Sequence, residues 1–223
     1  MSPETTPLAP DAYVSQDEVA EPEIGQRQRM LMGMAQTIAR RGYRGATITE
    51  VVRFAKVSKR TFYEEFGDKE SCFLELYEQT RDQLQQLIRD QTDATDDDWR
   101  GQIAKGARAY YTALTVQPLL TRAFFIEVAT LSERATKVRR ESFDSFAQTL
   151  LELIERGRAA HPEIPSRPLS PMMAAAVLGG MTDVMIGAIE RDEMQERLDE
   201  LVATCTDLIV SVVTGQFPPG QEL

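Results

Sequence analysis

Apolar residues recur at helical spacing through most of the chain, and no segment shows the sustained apolar–polar alternation that is typical of strands. From residue 24 onward, apolar positions three or four apart precede Gly42, which predicts a first helix with a glycine at its C-terminal end. Later apolar periods predict helices over Asp98–Val116, Pro118–Leu131, Ser132–Ala160, Pro171–Arg191 and Met194–Thr214. We therefore expect an all-α fold of about nine helices.

Two short helices are predicted directly after the first one. Thr47 and Glu50 have the spacing of a capping box at the start of one helix, and Ser58 can cap the other. Val57 and Phe62 occupy the two positions of a hydrophobic staple around Ser58. Two short helices joined by a tight turn are typical of a helix-turn-helix, whose second helix enters the major groove of DNA.

The second short helix begins with three residues that can read base edges, Lys59, Arg60 and Thr61. Cations are unfavourable at a helix N-terminus by roughly 0.3–1 kcal/mol, so helix stability does not explain Lys59 and Arg60. A bound phosphate or guanine edge does explain them. Tyr63 is predicted to face the groove, where its hydroxyl can reach a phosphate. A solvated charged face is the alternative, and the agreement of caps, staple and turn favours DNA binding.

Charge is distributed unevenly along the chain, whose net charge is -10. Residues 1–23 hold six acidic and no basic residues, residues 24–70 ten basic and five acidic, and residues 71–223 fifteen basic and twenty-four acidic. Only the middle segment is therefore suited to a polyanion. We predict a disordered acidic tail over 1–23, a helix-turn-helix DNA-binding domain over 24–70, and a larger helical regulatory domain over 71–223.

The stretch GYRGATITEVVRFAKVSKRTFYEEFGDKE, with the helix before it, resembles the DNA-binding domain of the TetR family of bacterial transcriptional regulators. The resemblance extends over residues 24–89. It implies phosphate contacts from Thr47, Ser58, Tyr63 and Lys69, and base-edge or groove contacts from Thr49, Lys59, Arg60 and Thr61. Lys69 also stands in the first turn of the next helix, where a flexible ammonium can meet the DNA backbone. Lys56 departs from the family pattern, in which glycine is usual, and a left-handed backbone there costs a lysine about 1 kcal/mol.

The last two predicted helices, PMMAAAVLGGMTDVMIGAIE and LDELVATCTDLIVSVV, are apolar around much of their circumference. They resemble the helices through which members of the family pair. The resemblance implies a homodimer, for which we expect interface residues Leu178, Met185, Ile189, Leu201, Cys205 and Ile209. Membership of the domain core is the alternative interpretation.

The resemblance also implies a small-molecule pocket between the middle helices, and aromatic and methionine residues there favour an apolar or aromatic effector. The residues expected to line it are Tyr111, Phe124, Phe125, Phe146, Met173 and Met181. Plain core packing is again the alternative for each of them. The predicted function is a dimeric regulator, by family default a repressor, that such an effector releases from a palindromic operator.

Other classes of function find little support. We expect Cys72 and Cys205 to be buried free thiols, and His161 to be exposed in a proline-rich linker with no metal-ligand spacing around it. No catalytic motif, metal site or cofactor site is predicted, so an enzyme is not expected. Residues 1–23 lack the features of a secretory signal, and no apolar run reaches the roughly 18–20 residues that span a bilayer, which predicts a cytoplasmic protein without a membrane partner. An adaptor that does not bind DNA is the remaining alternative, and the salt dependence of duplex binding distinguishes the two.

Overall fold

The computed structural model describes residues 25–93 and 98–215, and these residues form helices, turns and loops without strands. The described helices are α1 (Gln26–Gly45), α2 (Ile48–Ala55), α3 (Lys59–Phe66), α4 (Lys69–Asp93), α5 (Trp99–Thr115), α6 (Pro118–Arg122), α7 (Glu133–Ala160), α8 (Pro171–Glu190) and α9 (Leu198–Thr214). A π-helical turn, Ala123–Glu127, and a 3-10 turn, Val128–Thr130, follow α6. The predicted all-α fold is confirmed. The predicted tail over residues 1–23 lies outside the described residues.

Two helices differ from their predicted extents. The segment predicted as one helix from Pro118 to Leu131 changes from α-helical to π-helical and then to 3-10 hydrogen bonding. Apolar periodicity does not distinguish these patterns, because the π-helical and 3-10 stretches are only 5 and 3 residues long, too short to show a period of their own. The last helix begins at Leu198 and not at Met194, because residues 194–197 form turns that follow the left-handed Asp192 (φ 57°).

The chain forms two compact units. The first contains the described residues up to Arg81 together with Ala113–Val138, and the second contains Asp82–Thr112 with the described residues from Arg139 onward. The units divide α4 near its middle, whereas the predicted boundary follows residue 70. The first turns of α4 belong to the first unit because they supply its core, in which Phe73 is fully buried.

The core of the first unit holds α3 by its inner face. Met34 of α1, Val51 of α2 and Phe62 of α3 are all fully buried. The ring of Phe73 lies 5.6 Å from that of Phe124, centroid to centroid, which extends this core to the π-helical turn. Burial of each such side chain contributes about 1.5–3 kcal/mol, so the position of α3 on α1 and α2 is firmly determined.

Helix α8 is long and strongly apolar. Within its 20 residues, an 18-residue window reaches a mean hydropathy of 1.7, so by length and composition alone α8 could cross a membrane. This corrects the expectation that no apolar run is long enough. Only 28% of its apolar window is buried, and the buried side chains, which include Val177 and Met185, belong to the second unit. Asp183 lies in the second half of the helix, and Ser170 caps its start by accepting from the amide of Met173 at 3.2 Å.

Candidate DNA interface and ligand cavity

Helices α2 and α3 form a helix-turn-helix with a cap at the start of each helix. Thr47 Oγ1 accepts from the amide of Glu50 at 3.3 Å, and Ser58 Oγ accepts from the amide of Thr61 at 3.0 Å. Lys56 ends α2 in a left-handed conformation, with φ 52° and ψ 45°. The turn therefore keeps a backbone conformation that favours glycine, although a lysine occupies it.

The outward side of α3 carries the residues predicted to read DNA. Lys59 and Arg60 are exposed, Thr61 is half-buried, and Tyr63 is 53% exposed. Arg60 Nε lies 2.8 Å from Oε1 of Glu64, one helical turn later, and both side chains are well exposed. An exposed pair of this kind contributes only about 0.3–0.5 kcal/mol. It does not prevent Arg60 from binding another acceptor.

The predicted hydroxyl contacts lie at the starts of the two helices. Thr47 Oγ1 lies 3.2 Å from a carboxylate oxygen of Glu50, to which it donates. Ser58 Oγ and Thr61 Oγ1 lie 2.8 Å apart. A single proton is enough for that bond, so the proton on the second of these hydroxyls can be donated to a phosphate oxygen. Thr49 is exposed in the first turn of α2.

Lys69 is more engaged than the predicted phosphate contact implies. Its Nζ donates to the carbonyl oxygens of Tyr43, at 3.0 Å, and Ala46, at 3.2 Å, and it lies 4.1 Å from the centroid of the Tyr43 ring. Burial lowers the pKa of the Lys69 ammonium, and the negative charge of Glu127 partly opposes this effect. One of its three protons is left for a phosphate. The residue also ties the start of α4 to the end of α1.

Arg27 of α1 stabilises the position of α3 through ion pairs. No local pattern in the sequence predicts this role of Arg27. Its guanidinium pairs with Glu65 of α3 at 2.9 Å and with Glu75 of α4, and it lies 4.4 Å from the centroid of the Phe66 ring. Hydrogen bonding to Glu75 and then to Glu65 raises the pKa of Arg27 above its ordinary value. The two carboxylates lie 38 and 48 positions along the chain. Sequence periodicity therefore could not have predicted these ion pairs.

The second unit contains a half-open cavity of about 310 Å³. This volume falls at the lower end of the roughly 300–1,000 Å³ that is typical of small-molecule sites. Its apolar walls come from α4, α5, α7, α8 and α9, and they include Ile88, Trp99, Tyr110 and Leu153. Four polar side chains also line the cavity: Thr92, Gln102, Thr149 and Arg156.

Two of the six residues predicted to contact an effector, Phe146 and Met181, line this cavity. The other four lie elsewhere: Tyr111 in the interior of the second unit, Phe124 and Phe125 in or against the core of the first unit, and Met173 at the surface. Helical spacing identified these aromatic and methionine side chains as candidates. It does not specify which interior each of them joins, because that depends on long-range packing.

The residues predicted at a dimer interface lie inside the second unit. Leu178 is half-buried, and the other five are buried: Met185, Ile189, Leu201, Cys205 and Ile209. The exposed apolar side chains of α8 are instead Met172 (85% exposed), Met173 (47%) and Val184 (45%). An apolar circumference does not indicate which half of a helix packs against the same chain.

Both cysteines are free and buried. Burial raises the pKa of Cys72 and of Cys205 to about 12. Cys205 lines the cavity, and its Sγ lies 3.8 Å from the Sδ of Met181. Both thiols are therefore protonated at neutral pH and are weak nucleophiles.

His161 is half-buried, which corrects the expectation that it is exposed. Its Nδ1 lies 3.2 Å from a carboxylate oxygen of Glu163, and its Nε2 is buried without a hydrogen-bond partner among the described residues. The linker contacts the end of α9, where the amide of Arg167 donates to the carbonyl of Val213 at 3.0 Å. Within residues 25–93 and 98–215, no group of three or more His, Cys, Asp or Glu side chains could hold a metal ion.

Comparison with known proteins relates the N-terminal helices to one family. Residues 34–76, which include the whole helix-turn-helix, match the sequence profile of the bacterial regulatory proteins of the tetR family. No curated protein sequence matches the chain.

Several solved structures share the fold. A fatty acid degradation regulator, FadR, from Bacillus halodurans matches with a TM-score of 0.67 and 16% identity over 83% of this chain and 97% of its own. FadR from Bacillus subtilis, solved in complex with stearoyl-CoA, matches with a TM-score of 0.63 and 17% identity over 84% of this chain and 98% of its own. NemR from E. coli, in its reduced form, matches with a TM-score of 0.62 and 21% identity over 84% of this chain and 96% of its own. At these identities the likeness is one of fold.

Proposed function

We propose that this chain, a member of the TetR family of bacterial transcriptional regulators, acts in the cytoplasm as a homodimeric repressor. A small apolar or aromatic effector releases it from a palindromic DNA operator. The observation that carries the proposal is the outward side of α3, where Lys59, Arg60 and Tyr63 stand exposed on a helix whose inner side is buried. Repression is the family default.

DNA binding follows from the chemistry of the start of α3. The unpaired amides of a helix N-terminus and the side chains of Lys59 and Arg60 all favour an anion at the same place. Arginine can also bind the O6 and N7 atoms of guanine with two hydrogen bonds. The proposal gives phosphate contacts to Thr47, Ser58 and Tyr63. Lys69 would also contact a phosphate, to which its one remaining ammonium proton is donated.

The exposed side of α8 supports pairing of two copies. Met172, Ala176, Gly180 and Val184 are exposed and four residues apart, so they form one ridge along the helix. A Cβ added at Gly180 would meet no atom within 4 Å, which leaves room for another helix to approach closely. A dimer would present two copies of α3 to half-sites about 34–36 Å apart, or a multiple of that spacing.

The cavity in the second unit is the proposed effector site. Its mainly apolar lining suits an apolar or aromatic molecule, and its four polar side chains can orient one polar end. The FadR structure from Bacillus subtilis contains stearoyl-CoA, which supports including fatty acids and their thioesters among the compounds tested. Trp99 is the only tryptophan of the chain and lines the cavity, so its fluorescence should report binding without a label.

Selection of genomic fragments with the purified protein tests the proposal. We expect enrichment of a palindrome, a dimer in sedimentation, and a log affinity that falls by about 0.9 per phosphate neutralised for each unit of log salt. A compound that changes Trp99 emission should also release the selected fragment. A monomeric protein, or enrichment of no sequence over random duplex, would refute the proposal.

A further inference from the structure

Glu64 occupies the centre of the outward side of α3. The buried side of this helix is marked by Phe62 and Phe66. With about 100° between successive residues, Glu64 lies about 200° from Phe62 and about 160° from Phe66, directly opposite the core. The side chain of Glu64 is 60% exposed. A helix that inserts its outward side into the major groove therefore carries this carboxylate toward the base pairs.

The contacts of Glu64 tie α3 to no other helix of the first unit and stabilise α3 itself only slightly. Among the described residues its ion-pair partner is Arg60, on the same helix, and Oε1 accepts from Arg60 Nε at 2.8 Å. Its other oxygen, Oε2, remains open to a further donor. The neighbouring Glu65 differs, because Arg27 ties it to α1 and α4. Glu65 therefore has a structural partner in the fold, whereas Glu64 is paired only with a residue that is itself predicted to read DNA.

A carboxylate on this side of the helix opposes non-specific binding, because DNA phosphates repel it. It can be favourable in the groove only where a base offers a donor, and the N4 amino group of cytosine is the donor that Glu and Asp accept from. Arg60, four residues earlier, is suited to the O6 and N7 atoms of guanine. The two side chains are already arranged side by side by their mutual hydrogen bond.

We propose that Glu64 is a specificity-determining residue that accepts a hydrogen bond from the N4 amino group of a cytosine in each half-site. The same carboxylate holds the guanidinium of Arg60 ready for a guanine at a neighbouring base pair. Repulsion between Glu64 and phosphates makes non-cognate duplexes poorer ligands. This inference rests on the proposed DNA-binding function and identifies a base that the operator must contain.

Selection from a randomised duplex library tests the inference with the full-length wild type and three variants. Glu64→Ala removes the acceptor, and Glu64→Gln replaces it with an amide, which prefers adenine. Glu133→Gln is the matched control, because it removes the same charge from an exposed residue of α7 in the first unit. Both substituted sites are exposed, so circular dichroism and thermal unfolding should show three folded variants.

The wild type should enrich a half-site with one position at which cytosine is preferred about tenfold or more. Glu64→Ala should lose the preference at that position while keeping the others, and Glu64→Gln should shift it toward adenine. Both should bind random duplex more tightly than Glu133→Gln does. A wild type that enriches no sequence would refute the proposed function itself. An operator that wild type and Glu64 variants select identically, or a loss spread evenly over all positions, would refute only the role of Glu64.

Discussion

Replacement of Gly157 by alanine should displace Trp99 and destabilise the second unit. A Cβ added at Gly157 would lie 2.7 Å from both Cδ1 and Cε2 of the Trp99 ring, and closer still to Nε1. Side-chain atoms essentially never approach so closely, and the ring is only 5% exposed, so it cannot move aside into solvent. Either the indole or the backbone of α7 must shift. Both line the cavity, so its shape must change with them.

Two opposing contributions determine the size of the effect. Overpacking of a well-packed interior typically costs about 1–3 kcal/mol. Alanine in place of glycine within a helix contributes about 0.8–1.0 kcal/mol in the opposite direction. We therefore expect a net loss of up to about 2 kcal/mol in the free energy of unfolding. For a chain of this size each kcal/mol lowers Tm by about 2–4 °C, which gives a fall of up to about 8 °C.

Thermal unfolding by circular dichroism measures the stability, and Trp99 emission reports the local change, because the chain has one tryptophan. The emission maximum should shift as the ring leaves its packed position. Gly179→Ala is the control, since a Cβ there would lie 3.9 Å from Cζ of Phe143, an ordinary contact. This control should keep the wild-type emission and lose no stability. Unchanged Tm and emission in Gly157→Ala would refute the reasoning.

Two further predictions concern the turn and the thiols. Lys56→Gly should relieve the strain of the left-handed backbone (φ 52°) and stabilise the chain by about 0.5–1 kcal/mol in thermal unfolding. Lys56→Ala keeps that strain and should not stabilise the chain. Equal effects of the two substitutions would contradict this explanation. At pH 8, Cys72 and Cys205 should react with Ellman's reagent far more slowly in the folded protein than in urea. Burial raises the pKa of both thiols from 9.0 to about 12. As the pH rises from about 9 to 12, the thiols of the unfolded chain therefore ionise while those of the folded chain stay protonated, so Tm should fall over this range. Rapid reaction of either folded thiol would contradict this prediction.

The helix-turn-helix could be predicted from the sequence because short-range interactions specify it. Ser58 caps the helix that begins one residue later, and Phe62 lies within the same turn and a half. Such interactions depend on spacing along the chain, which the sequence displays directly. Lys56 is identified through the family resemblance, in which glycine is usual at that position, and its backbone is left-handed (φ 52°).

The second unit could be predicted only as helices, because its interior depends on how those helices pack. Phe124 and Phe146 are both aromatic residues in segments predicted as helices, but Phe124 joins the core of the first unit and Phe146 lines the cavity. The same limit applies to α8, where Met185 is buried and Val184, its neighbour, is 45% exposed. Amphipathic patterning separates inside from outside only when one face is polar, and α8 has apolar residues on both.

The inner and outer sides of α3 differ in how strongly they are held. On the inner side, Phe62 is fully buried and Arg27 bridges carboxylates on two helices. On the outer side, Arg60 and Glu64 form one exposed pair that is easily exchanged for other partners. The outer side must exchange its intramolecular contacts for contacts with base pairs, so those intramolecular contacts must be weak. The helix itself must stay in place, so the contacts of its inner side must be strong. Substitutions on the inner side should therefore change stability first, and substitutions on the outer side should change DNA selectivity while leaving stability nearly constant.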